Sequence, residues 1–178
     1  MNSGMSAGIR TAGVLWAIGG IAALLMYAAA SLGKHTVVAI GTGLTSIEWA
    51  ALIANAVFMG WAEGYRGFQK RFSPRVAARA LNLHENPTPL RLLLAPLFCI
   101  GYFGATPRLR LTIWIGTGLI VLAVLLFNRI AQPWRGILDG GVMVGLTWGT
   151  ISLLHAAWTT FRVRQPLVAP EVPAPAGV

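Results

Sequence analysis

The residues that could do chemistry in this chain are few, and the first is an acid in apolar surroundings. Glu48 is the only charge in the run from Val37 to Ala62, and an acid inside a membrane span is by default a functional candidate. On one continuous helix, Asn55 would lie on the same face as Glu48, with Glu63 about 60° away. Glu48, Asn55 and Glu63 are therefore a candidate transport path for protons or cations.

The same acid has a structural interpretation. Thr45-Ser46-Ile47-Glu48 has the spacing of a capping box, in which the glutamate reaches back to the residue that precedes the helix. An acid in the first turn also meets the positive end of the helix dipole. The glycines at Gly41 and Gly43 favour a helix that starts near Thr45, so the sequence favours capping over transport.

The most distinctive polar segment is the basic stretch 64–89. Tyr65, Phe68 and Phe72 have a spacing that would place three aromatic rings on one helix face. Ser73-Pro74 predicts the start of a second helix, so we expect an amphipathic cytoplasmic helix-turn-helix. Its cations form a candidate site for lipid headgroups or an acidic partner: Arg66, Lys70, Arg71, Arg75 and Arg79. The alternative is an ordinary basic loop that obeys the positive-inside rule.

Other candidates are weaker. Asp139 follows Arg135 by four residues, and an acid at a helix start is favourable in itself, which predicts an interfacial anchor. Cys99 is the only cysteine, so neither a disulfide within the chain nor a cysteine zinc site is expected. His155 is the only histidine well inside an apolar run, whereas a membrane b-haem needs two axial ligands. No catalytic residue, metal site or cofactor is predicted.

Three glycines, Gly141, Gly145 and Gly149, repeat at every fourth residue. Small residues at this spacing allow another helix to approach closely. The pattern predicts tight helix packing, either within the chain or between subunits. Gly116 and Gly118 are candidates for the opposing surface.

Composition predicts the class of protein. Hydrophobic residues make up 56% of the chain and charged residues 11%, less than half of the about 25% usual in soluble domains. The net charge of +9 comes from cations placed between apolar runs. We therefore expect anionic membrane lipids as partners, with a homo-oligomer or another membrane protein as a further possibility, and no nucleic acid.

The apolar runs predict an all-α fold, a polytopic transmembrane helical bundle of four to five membrane segments. The expected single transmembrane domain covers residues 1–164, and a proline-rich disordered tail comes after it at 165–178. A cleaved signal peptide is the alternative for the first run. The expected spans are 13–32, 45–63, 111–128 and 140–161, with a short segment at 90–105 that is either re-entrant or spanning.

The positive-inside rule orients these spans. With the N-terminus and 64–89 in the cytoplasm, a spanning 90–105 leaves nine basic residues inside and five outside. A re-entrant 90–105 leaves eleven inside and three outside, which fits the rule better. The expected location is the cell membrane, a bacterial inner membrane, with multiple passes and a cytoplasmic N-terminus.

Three classes of function are compatible with these features. The first is a non-catalytic accessory or scaffold protein that packs through glycine-rich helices. The second is a small oligomeric transporter or channel that uses Glu48. The third is a membrane enzyme acting on lipid headgroups, for which the available groups are Glu63, Arg66, Arg79, His84 and Asp139. The absence of catalytic motifs favours the first class.

Overall fold

The computed structural model describes residues 6–172, and within them the chain is helical with no strand. The helices are α1 (Ala7–Gly41), α2 (Ser46–Met59), a π-helix (Gly60–Phe72), α3 (Ser73–Glu85), α4 (Pro89–Leu93), α5 (Ala95–Ile100), α6 (Pro107–Phe127) and α7 (Trp134–Val163). The predicted all-α fold is confirmed.

Three of these helices, α1, α6 and α7, are long and apolar enough to cross a membrane. They contain the predicted spans 13–32, 111–128 and 140–161 almost entirely. At 1.5 Å per residue, the 35 residues of α1 extend about 52 Å, well beyond the roughly 30 Å of a hydrocarbon core. No proline precedes Pro74, and α1 ends at Gly41, just before Gly43 with its positive φ of 81°.

The second predicted span and the basic segment form one uninterrupted helical stretch. α2, the π-helix and α3 succeed each other without a gap from Ser46 to Glu85. The expected turn at Ser73-Pro74 is therefore wrong, since Phe72 has helical angles of φ −70° and ψ −56°. Pro74 lies where the π-helix ends and α3 begins. The chain therefore changes from one helix type to the other beside the residue that cannot donate a main-chain hydrogen bond.

The segment 90–105 contains two short helices, α4 with five residues and α5 with six. Neither has the about 20 residues needed to cross a bilayer. α5 ends at Gly101, whose φ of 114° is accessible to glycine. The N–H groups of Gly101 and Tyr102 both donate to the carbonyl of Leu97, which closes the helix end.

The chain divides into two compact units. The first comprises Met1–Ala22, Phe72–Thr117 and Leu153–Val178, and the second comprises Ala23–Arg71 and Gly118–Ser152. Three of the four boundaries fall inside α1, α6 and α7, so each of these long helices contributes residues to both units, and the fourth falls between the last two residues of the π-helix.

In the first unit the core is α3, which packs against α5. Eight residues of α3 are buried: Ser73, Val76, Ala77, Ala78, Arg79, Ala80, Leu81 and Leu83. The expectation that this part of 64–89 lies exposed at the membrane surface is therefore wrong, because most of α3 is buried within the first unit. Its amphipathic pattern stays a prediction.

The second unit is built around the glycines of α7. A Cβ placed on Gly145 would lie 3.0 Å from Cβ of Glu63, and one on Gly149 would overlap the ring of Phe68. A Cβ on Gly141 would overlap the amide of Asn55. These glycines thus let α7 approach α2 and the π-helix within the same chain. Gly116 and Gly118 do not supply the opposing surface.

The predicted disordered tail, 165–178, lies outside the described residues from 173 onwards. Its described part, 165–172, contains no helix. The carbonyls of Pro170 and Glu171 accept hydrogen bonds from Arg79, so these two residues contact the core of the first unit.

Candidate functional site

The first polar centre is Arg79, which is fully buried in the first unit. Its Nε donates to the carbonyl of Phe98 at 2.8 Å. Nη1 donates to the carbonyls of Pro170 and Glu171 at 3.1 and 3.3 Å. Nη2 donates to Phe103 and Gly104 at 3.0 and 2.9 Å. These five bonds match the five N–H donors of a guanidinium.

Burial is the main influence on the pKa of the Arg79 side chain. Desolvation lowers the pKa of Arg79 to about 10, which still leaves the side chain protonated at neutral pH. The cation also lies over the ring of Phe98, 4.4 Å from its centroid, a favourable contact. Because main-chain carbonyls occupy every donor, the guanidinium cannot reach a lipid headgroup. Arg79 is therefore withdrawn from the predicted headgroup site.

The second polar centre is a pair of side chains from α1 and α7 in the second unit. Nδ1 of His35 lies 2.8 Å from Oδ2 of Asp139, and Asp139 is buried with 2% of its surface exposed. Nε of Arg135 lies 3.6 Å from the same oxygen, and its Nη2 donates to Oδ1 of Asn128 at 2.6 Å. Oγ1 of Thr36 donates to the carbonyl of Gly136 at 2.9 Å.

This arrangement joins two helices rather than exposing a reactive group. A buried carboxylate needs charged or hydrogen-bonding partners, and His35 and Arg135 provide both. Asp139 therefore links α1 to the first turns of α7. As predicted, Asp139 lies near the start of a helix and beside Arg135, but it also bonds His35 on another helix.

The three residues of the predicted transport path all contact other residues of the chain. Oε2 of Glu48 accepts hydrogen bonds from the backbone N and Oγ1 of Thr45, both at 2.8 Å. The predicted capping box is confirmed. Nδ2 of Asn55 donates to the carbonyls of Ile137 and Leu138 at 2.8 and 3.2 Å. Glu63 packs against Gly145. Nothing in these contacts singles out a path for ions.

The remaining basic residues of the predicted headgroup site lie at the surface or part-buried. Arg66, Lys70 and Arg71 are exposed on the π-helix, and Arg75 is part-buried on α3. Arg66 lies 5.0 Å from the ring centre of Trp61, and Lys70 lies 5.2 Å from that of Tyr65. The exposed cations are available to anions, and their role with headgroups stays a prediction.

Comparison with known proteins does not indicate a function. No protein-family model, curated protein or solved structure matches this chain. Within residues 6–172, no three His, Cys, Asp or Glu side chains come together as a metal site would require. The function must therefore be inferred from the helices themselves.

α6 differs from the other two long helices in how little of it is covered. In its most apolar stretch 6% is buried, against 33% in α1 and 50% in α7, and its only buried residue is Leu109. A Cβ placed on Gly116 or Gly118 would have no heavy atom within 4 Å. No charge occurs between Leu111 and Phe127, and the hydroxyls of Thr112 and Thr117 donate to carbonyls of the same helix, so the uncovered surface is largely apolar.

Sequence reasoning missed the roles of His35 and Arg79. His35 lies beyond the predicted span 13–32, next to the charged Lys34, so the apolar pattern does not place it in the first helix. The signal that α1 continues is the absence of any proline before Gly41. The charge of Arg79 groups it with the surface cations, although the alanines around it indicate a buried helix.

Proposed function

We propose that this protein is a non-catalytic integral membrane protein, an accessory or scaffold subunit that binds a membrane-spanning helix of another chain along α6. The single observation that supports this function is the nearly complete exposure of α6. In lipid, helices associate through close packing and not through hydrophobic burial. α1 and α7 obtain that packing within the chain, whereas α6 contacts Tyr102 through Trp114 and Thr117 and is largely exposed beyond them.

The two open glycines support a helix as the occupant. Gly116 and Gly118 lack a side chain, and no heavy atom of the described residues fills the space beside them. The two glycines lie about 200° apart around the helix, so a partner helix can approach the α6 backbone closely at one of them but not at both. On α7, side chains of the same chain occupy the space beside each glycine of the 141–149 repeat. That repeat is therefore not proposed as a surface between chains.

The polar groups argue against chemistry as the main role. Arg79 and Asp139 are buried, and their contacts go to the chain itself. Glu48 caps α2, so a transport path through it is not proposed. A role that depends on packing needs none of these groups to react, and all of them contribute to holding the helices in place.

The experiment is a photo-crosslinking scan of α6 in membranes of cells expressing the full chain. A photoreactive amino acid is placed in turn at positions 115 to 122. A partner helix on one side should give protein adducts at positions three or four apart and none between them. Leu24 on α1, with 59% exposure against 61% for Leu119, is the matched control position. Adducts at no α6 position would overturn the proposal.

A further inference from the structure

The first unit contains a groove between α1 and α7 that the proposed association does not use. Its volume is about 320 Å³, at the lower end of the roughly 300–1,000 Å³ typical of ligand sites. The lining is almost entirely apolar and is formed by Thr11, Val14, Leu15, Ile18, His84, Ala157, Trp158 and Phe161. Such a lining accepts a hydrocarbon chain and excludes a fully hydrated ligand.

The groove runs along the two helices. Its α1 residues extend from Thr11 to Ile18, seven residues and therefore about 10 Å along the axis. α1 begins in the first unit and α7 ends in it. The lining residues nearest these two helix ends are Thr11 and Phe161. The ring of His84 meets that of Phe161 edge-on, with 6.3 Å between centroids, so His84 belongs to the same end.

That end of the groove is basic. Arg10 directly precedes Thr11, and Arg162 directly succeeds Phe161, with Arg164 two residues further on. Arg162 is exposed on α7, and Arg10 is part-buried on α1. The only acid next to a lining residue in the sequence is Glu85, beside His84. A ligand that fits has an anionic head and an apolar tail.

We infer that the groove binds one acyl chain of an anionic phospholipid, with the phosphate at the end where Arg162 is exposed. Charge complementarity favours an anionic headgroup, and the apolar lining of the groove favours an acyl chain. The basic end is also the end that the positive-inside rule assigns to the cytoplasm, where the leaflet is rich in anionic lipids. The binding of this lipid does not depend on any partner at α6.

The test uses native mass spectrometry of the full-length protein, purified in detergent. It is incubated with phosphatidylglycerol or with phosphatidylcholine carrying the same acyl chains. One phosphatidylglycerol should be retained in preference to phosphatidylcholine. At about 1 kcal/mol for each cation near a headgroup, Arg162→Gln should weaken retention about fivefold. Arg108→Gln, an exposed arginine outside the groove lining, is the matched control and should change nothing.

A second variant tests whether the acyl chain lies in the groove. Leu15 lines the groove yet is 67% exposed, so Leu15→Trp should fold and obstruct the acyl chain. Leu24→Trp, on the same helix but outside the groove, is its control. Loss of phosphatidylglycerol with Leu15→Trp alone supports the inference. Equal retention of the two lipids, or an equal effect of each variant and its control, would overturn it.

Discussion

Oδ2 of Asp139 on α7 lies 2.8 Å from Nδ1 of His35 on α1, 104 residues earlier in the chain. This hydrogen bond connects two of the three long helices at a buried carboxylate. It replaces the local interpretation of Asp139 as an acid paired only with Arg135. Substituting the two residues singly and together can measure what this contact contributes to the free energy of unfolding.

The His35–Asp139 pair should show energetic coupling in a double-mutant cycle. Asp139→Ala removes a charged hydrogen-bond partner from a buried site, so we expect a loss of about 1 to 3 kcal/mol in the free energy of unfolding. His35→Ala should cost less, because 35% of its side chain is exposed. Unfolding in mixed micelles, followed by tryptophan fluorescence, measures both.

The double variant decides whether the contact matters. Coupled residues deviate from additivity by at least about 0.5 kcal/mol. Glu85→Ala, an exposed acid, serves as the control and should leave stability nearly unchanged. Additive losses from the two single variants would show that the pair contributes no energy of its own.

Arg79 should not tolerate replacement by lysine. An ammonium group has three donors and cannot serve the five carbonyl bonds that Arg79 makes. Since each buried carbonyl left without a donor costs about 1 to 3 kcal/mol, we expect Arg79→Lys to be destabilising. Arg108→Lys, at an exposed position, is the matched control. The readout is the unfolding midpoint of the two purified variants.

Truncation of the tail provides an independent test of the same centre. A chain that stops after Ala169 loses the two carbonyls that Nη1 of Arg79 contacts, whereas one that stops after Val172 retains them. Only the shorter chain should be less stable, by about 1 to 3 kcal/mol. Equal stability of the two truncated chains would mean that the tail does not support Arg79.

The glycines of α7 should be intolerant of even a methyl group. Gly149→Ala places a Cβ against the ring of Phe68, and overpacking of this kind costs about 1 to 3 kcal/mol. Gly19→Ala on α1 is the control, because a Cβ there meets nothing within 4 Å and alanine is the better helix former. Thermal unfolding in detergent should separate the two variants, and equal midpoints would contradict the packing.

The sequence predicted the features that depend on local patterns. Apolar runs located α1, α6 and α7, and the spacing from Thr45 to Glu48 identified the capping box. Local patterns failed where a group's role depends on distant backbone. Arg79 looks like its neighbours Arg71 and Arg75, and only the fold shows that five carbonyls converge on it.

The failures at His35 and at Ser73-Pro74 have a common cause. In both places a polar residue or a proline predicts the end of a helix that in fact continues. α1 continues past Lys34 because nothing sterically stops it before Gly41. The helical stretch from Ser46 continues past Pro74, at the place where the π-helix gives way to α3. Charge and composition indicate where a span ends in lipid, but not where a helix ends.

The central claim is that α6 contacts a helix of another chain, and one measurement tests it most directly. A photoreactive residue at Ile120, which is 66% exposed, lies one turn from Gly116 on the same face. Its protein adduct should disappear when Gly116→Leu fills the space beside the backbone and should persist with Gly19→Leu, the matched change on α1. An adduct that survives Gly116→Leu, or its absence in the unsubstituted chain, would contradict the account.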